Sequence, residues 1–400
     1  MAFSTAEPEP ERLHALDAIR AAALLLGIVL HACLSFVPGI PPELWPISDV
    51  QKSPALAVTM FAIHTFRMAV FFLVAGLLSR ALLQRLGLPA FFRNRASRIL
   101  VPLALGWVVC FALIIAVVLW ALAKANHGVM PQTLPKAMTD AGPNFMHLWF
   151  LYLLLWLYAI VLIARKVLLA VDDKGAVTAL ADRWLRAAIT LPLGSLTIAM
   201  PVAAALFLVP HWIGAMGVPT PAYTLIPPAI PLFIYAYVFA IGWMLDRQRV
   251  LLDALAQQWL PNFAIGLVGT LVCLVILGAQ APATIIENYK LLYAAAYAIA
   301  LVCWTLAFVG VGIKYMNQKS ATIRYLADAS YWMYIMHLPL VMALQTSLML
   351  VDLHWSIKFL TINVAACVIL LITYHHGVRS SWIGQMLNGK KHARRVPQKS

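Results

Sequence analysis

Ten apolar runs of membrane length constrain this chain more than any other feature. They lie near residues 16–38, 55–79, 99–123, 145–164, 187–209, 225–245, 259–279, 291–313, 325–350 and 359–377. A hydrocarbon core about 30 Å thick takes roughly 20 apolar residues as a helix. Within lipid, backbone polar groups must be satisfied inside the segment, which a helix achieves alone. The sequence therefore predicts an all-α, polytopic membrane helical bundle of about ten transmembrane helices. Composition agrees: only 11% of residues are charged, against roughly 25% in soluble domains. The net charge of +14 reads as basic loops that fix topology, not as a nucleic-acid surface, because the charges lie between spans. The five cysteines (Cys33, Cys110, Cys273, Cys303, Cys367) fall inside apolar runs without metal-ligand spacing. They read as small apolar residues rather than as a disulfide framework or a metal site.

The basic residues set the expected orientation. Of the 29 Lys and Arg, Lys52, Lys124, Lys136, Lys290 and Lys358 fall on one set of alternating segments. Arg20 and Arg67 lie within spans, and all the others fall on the opposite set. That asymmetry places both termini in the cytoplasm. The N-terminal stretch carries Glu7, Glu9 and Glu11 with two prolines and lacks a basic n-region, so the first span is expected to be retained as a helix. The domain reading is a cytoplasmic segment over 1–15, a transmembrane domain over 16–378 and a basic, solvated cytoplasmic tail over 379–400.

Function is sought in the ionisable groups placed inside the apolar runs, since these are costly in lipid. The first run holds Asp17, Arg20 and His31. Eleven residues separate Arg20 from His31, about 16 Å of helix rise and close to three turns. Both side chains thus project from one face, a cation towards the inner side and an imidazole deeper in the membrane. The second run carries His64 and Arg67, which share a face. The fourth opens with His147 and the ninth carries His337. Four histidines and an arginine are expected to converge in the outer half, with Arg20, Arg95 and Arg98 lining the inner side. Plainer readings stand beside these. Arg93, Arg95 and Arg98 also suit topology anchors, Arg20 a snorkelling side chain, and His147, His375 and His376 interfacial residues.

A neutral imidazole is the usual general base near pH 7. No Ser or Cys nucleophile motif, phosphate-binding glycine loop or metal cluster is evident, and no permanently bound cofactor is expected. A base on one side and cations on the other suit group transfer from an anionic cytosolic donor to a hydroxyl near the outer face, with donor phosphates meeting arginines. The competing class is a transporter or flippase for an anionic or glycan substrate, in which the same residues bind cargo or relay protons. Inverted repeats or paired broken helices would mark it, and the sequence shows neither. A purely structural subunit would not need this density of buried charge.

The motifs resemble the membrane acyltransferase 3 family over nearly the whole chain. Arg20 and His31 match its basic-residue, ten-position, histidine pattern, preceded by Leu16-Asp17-Ala18-Ile19. Phe66-Arg67-Met68-Ala69-Val70-Phe71-Phe72-Leu73-Val74-Ala75-Gly76 is similar to its FRMPxFFxxSG element, with Ala75 where serine is usual. Arg95 and Arg98 match Arg-x-x-Arg, followed by Ile99-Leu100-Val101-Pro102. His147-Leu148-Trp149-Phe150-Leu151 and the stretch from Ala329 to Pro339 are also family-like. The resemblance implies an integral membrane enzyme of the bacterial inner membrane that moves an acyl group, acetyl or succinyl, from cytosolic acyl-CoA to an extracytoplasmic glycan hydroxyl. Its glucan-modifying branch is the most similar. On this reading Arg95, Arg98 and Arg20 meet the donor and His31 acts as base or acyl relay. Asp17 orients Arg20, and His64, Arg67, His147 and His337 form acceptor or pocket contacts.

Overall fold

The computed structural model describes residues 14–130, 144–278 and 288–389. Among them the chain is helical, with no β-strand. The helices are α1 His14–Cys33, α2 Pro54–Arg95, α3 Val101–Ala125, α4 Trp149–Val171, α5 Ala176–Thr190, α6 Ser195–Phe207 and α7 Ala229–Arg247. They continue with α8 Val250–Gln257, α9 Trp259–Leu277, α10 Lys290–Tyr315, α11 Ala321–Leu348, α12 Trp355–Thr373 and α13 Trp382–Asn388.

Seven helical runs among the described residues are long and apolar enough to cross a membrane, or eight if one sharply bent pair counts as a span. The expected runs at 55–79 and 99–123 merge into one helical run, Pro54–Ala125. It is not straight: Gly87, with φ of 69°, breaks the regular geometry of α2, and a five-residue π-helical turn, Ala96–Leu100, joins α2 to α3. The run expected at 187–209 takes another form, with α5 and α6 meeting at 108°. The run at 325–350 lies on the 28-residue α11 up to Leu348; this helix is not among the seven and carries Arg324, Asp328, His337 and Gln345. Trp382–Asn388, within the stretch read as a solvated tail, forms the short α13, with Gly384 and Leu387 buried. The N-terminal acidic segment and the last basic residues lie outside the described residues.

Ser53 starts α2 by accepting a hydrogen bond from the Leu56 N–H at 3.3 Å, with Pro54 at the first helical position. Proline there gives up an amide that would be unbonded anyway. Ser320 caps α11 in the same way through Ile323. α1 and α10 bury most of their apolar surface inside the protein. α1 packs on α2, α10, α11 and α12, and α2 packs on α1, α7 and α10. The α2–α7 crossing depends on missing side chains. A methyl on Gly76 would overlap the Phe239 carbonyl, and one on Gly242 would overlap the Leu73 carbonyl. Small residues let membrane helices approach until their backbones touch. That close crossing fixes the face of α2 that bears His64 and Arg67.

Candidate active site

One cavity of about 960 Å³ collects nearly all the predicted site residues. α1 supplies Arg20 and His31, α2 His64 and Arg67, and α11 Tyr331, Tyr334 and His337. Arg95 and Arg98 line one end and His147 the other region, beside His31. These positions recur at three residues on α2 and α11 and at eleven on α1, which puts each set on one face. The imidazole of α1 and the arginines at the far end therefore open on the same space. Asp17 is not among the lining residues; it lies 3.9 Å from Arg20 as an i,i+3 ion pair. Arg93 is exposed and lines no part of the cavity.

The histidines form a row. The rings of His31 and His337 are 5.0 Å apart, and those of His337 and His147 5.1 Å. Carbonyl oxygens fix their tautomers, since a carbonyl can only accept. His337 Nδ1–H donates to the Tyr334 carbonyl at 2.7 Å, which leaves Nε2 a lone pair. His31 Nδ1–H donates to the Gly27 carbonyl at 2.8 Å and faces His337 Nε2 at 3.1 Å. His147 Nε2–H donates to the Ile335 carbonyl at 2.9 Å. His31 Nε2 then keeps an unshared pair, and it is not among the buried unpartnered atoms. It is a base open to the cavity. Gln345 holds the helix end beneath it, Nε2 donating to the carbonyls of His31 and Ala32 at 2.9 and 3.3 Å. His64 lines the same cavity with its Nδ1 buried and unpartnered.

At the other end Arg95 donates to Asn94 Oδ1 at 2.6 Å and to the Tyr158 hydroxyl at 3.4 Å, with its guanidinium 5.7 Å from the Phe91 ring centroid. Arg98 donates to the Leu387 carbonyl at 3.3 Å, and the Tyr331 hydroxyl donates to the Arg98 carbonyl at 2.6 Å. Asp328 lies near enough to act on the Arg98 charge, and the two guanidinium forks at this end have the geometry that binds phosphate oxygens.

Above His31 the segment between Val37 and Ser53 forms a roof. Trp45 stacks on His31 with centroids 6.0 Å apart and planes at 25°. The roof is pinned by Lys358 Nζ, wholly buried, which donates to Asp49 Oδ1 at 2.8 Å and Oδ2 at 3.1 Å. The Asp49 N–H donates to the Ser35 carbonyl, and the Ser53 N–H to the Phe36 carbonyl. Lys52 bonds the Ser35 carbonyl and Ser48 Oγ; burial pulls its pKa below the usual lysine range, with Asp49 opposing.

Sequence patterning thus gathers His31, His64, Arg67, His147 and His337 with Arg20, Arg95 and Arg98. It misses Trp45, Gly27 and Gln345. Trp45 sits in a proline-rich connection with no helical period to give it a direction. Tyr331 and Tyr334 fall in a quoted motif, but only the fold shows them holding the Arg98 and His147 carbonyls.

The chain aligns with curated relatives named glucans biosynthesis protein C. It is 30% identical over 146 residues to the protein from Escherichia coli O6:K15:H31 (strain 536 / UPEC), and 29% over 144 residues to that of Escherichia coli (strain K12 / DH10B). Each alignment covers 36% of this chain and 36% of the relative, so the match spans about a third of either protein. No solved structure matches the chain. The family profile described as an acyltransferase domain matches residues 13–375, and with nearly every residue of the cavity inside that range, the chain belongs to the acyltransferase 3 family.

Proposed function

We propose that this protein is a membrane O-acyltransferase that transfers an acyl group from cytosolic acyl-CoA to a hydroxyl of an extracytoplasmic glycan. The observation that carries the reading is the single cavity joining the arginine end to the His31 lone pair. Acyl-CoA is a co-substrate here, with no permanently bound cofactor. Its phosphates sit against Arg95, Arg98 and Arg20, and Asp17 steadies Arg20 from outside the cavity. The acyl group reaches up the passage to His31. His31 Nε2 takes the proton of the acceptor hydroxyl, while His337, held by the Tyr334 carbonyl, keeps the His31 ring in one tautomer. His64, Arg67 and His147 form the pocket around the reacting groups. The family supports acyl transfer and the glucan-linked names of its relatives support a glycan as acceptor; acetyl or succinyl is the group of this proposal.

The membrane arrangement belongs to the same proposal. The bundle has ten spans with both termini in the cytoplasm, in a bacterial inner membrane. α2 and α3 count separately, the α5–α6 pair forms one broken span and α11 another. The test is transfer from radiolabelled acyl-CoA to a glucan acceptor by purified protein in detergent. His31→Ala lowers turnover at least about 100-fold, the scale of a lost general base, with an unchanged elution profile. Wild-type turnover in that variant removes His31 from the chemistry.

A further inference from the structure

Arg67 has no partner that explains it. Its Nε is buried without a hydrogen bond, and among the described residues the groups set electrostatically against it are the phenols of Tyr334 and Tyr235, with no carboxylate. A guanidinium in an apolar bundle without a counter-ion is costly, and such groups are kept for a ligand or a reaction. Its position is built rather than incidental. Arg67 reaches from α2 across to α1 where Gly27 stands, and a methyl on Gly27 would overlap the Arg67 Nη1. The carbonyl of that same Gly27 accepts from His31 Nδ1. The guanidinium therefore lies one helical turn from the base, about 6 Å along the axis and on the Arg20 side. Arg20 itself is about 10 Å further along, so Arg67 faces the acyl end of a bound donor rather than its phosphates.

We infer that Arg67 is the catalytic cation that receives the negative charge of the acyl carbonyl during transfer. The inference rests on the acyl-transfer reading above. As His31 Nε2 takes the hydroxyl proton, the acceptor oxygen bonds to the thioester carbon and the carbonyl π pair moves onto oxygen. That oxyanion meets the Arg67 guanidinium. Collapse restores the carbonyl, breaks the carbon–sulfur bond and expels the coenzyme A thiolate, which takes the proton from His31. The products are an ester and a free thiol. A fixed charge waiting where charge develops is usually the largest electrostatic contribution to such a step.

The experiment compares wild type, Arg67→Gln, Arg67→Lys and Gly27→Ala in detergent, with acetyl-CoA and with succinyl-CoA as donors. Arg67→Gln is expected to lower kcat about 100-fold with both donors, with donor KM unchanged within about threefold. Its thermal midpoint holds or rises, because an unpaired buried charge has been removed; a structural arginine would lower it. Gly27→Ala displaces the guanidinium without deleting it and lowers kcat at least about tenfold. It decides alone if Arg67→Gln does not purify. Retained kcat in either variant overturns the assignment. So does a loss confined to succinyl-CoA, which makes Arg67 a carboxylate selector, or a loss expressed only in KM. A wild-type protein that transfers nothing from either donor overturns the acyl-transfer reading, and this one with it.

Discussion

At the residue scale, the spacing of Arg20 and His31 was legible because a helix period turns eleven residues into one face. Cavity lining by both side chains follows from that period. The partners of His31 were not legible. Gly27 acts through its carbonyl and its lack of a side chain, and neither leaves a mark in hydropathy. Gln345 acts from 314 residues away in the chain. Arg95 and Arg98 read equally as loop anchors until the fold separates them from exposed Arg93. Their predicted role makes a kinetic statement. Arg95→Ala and Arg98→Ala each raise the donor KM about tenfold or more, the worth of one charge-assisted hydrogen bond, and leave kcat largely intact. An unchanged donor KM in titrations over a range of acyl-CoA concentrations returns them to topology.

At the scale of elements, the predicted run at 187–209 shows what hydropathy cannot see. Its residues carry no charge, but Pro192 forces Leu191 into an extended conformation (φ −82°, ψ 148°), as the residue before proline prefers. Leu193 then takes a positive φ of 58°, and α6 begins at Ser195. Three residues of turn chemistry replace a straight span by a sharp bend. The roof over His31 was equally hidden, because Asp49 and Lys358 meet across most of the sequence and look like loop charges when read separately. Lys358→Met takes from buried Asp49 the ammonium that donates to both its oxygens, and the loss of one partner of a buried pair costs about 3–5 kcal/mol. Thermal unfolding in detergent measures it. Replacing both residues by apolar ones recovers most of the loss, and equal damage from the single and double variants refutes the pairing argument.

At the scale of the whole molecule, the ledger of charges and the search for long apolar helices give different counts, ten spans against seven or eight among the described residues. α11 illustrates the reason: a helix built to carry Tyr331, Tyr334 and His337 into a cavity is too polar to look like a lipid-facing span. Reporter fusions after Arg247, in the segment between α9 and α10, and after Asn388 test the arrangement. Cytoplasmic signal is expected from the first and last, and extracytoplasmic signal from the middle one. An external signal from the Asn388 fusion breaks the alternation. On the proposed reading, loss of the protein in cells is expected to remove an acyl mass from envelope glycans, which mass spectrometry checks.

α13 adds a consequence of its own. Arg98 hands a hydrogen bond to the Leu387 carbonyl, and Leu387 also lines the cavity. The last described helix is thus latched onto the side chain to which the proposed function assigns a donor phosphate. On the proposed acyl-CoA reading, an arriving phosphate is expected to replace that backbone oxygen on Arg98. On the same reading a thioester lacking phosphates is expected to leave the Arg98–Leu387 bond in place.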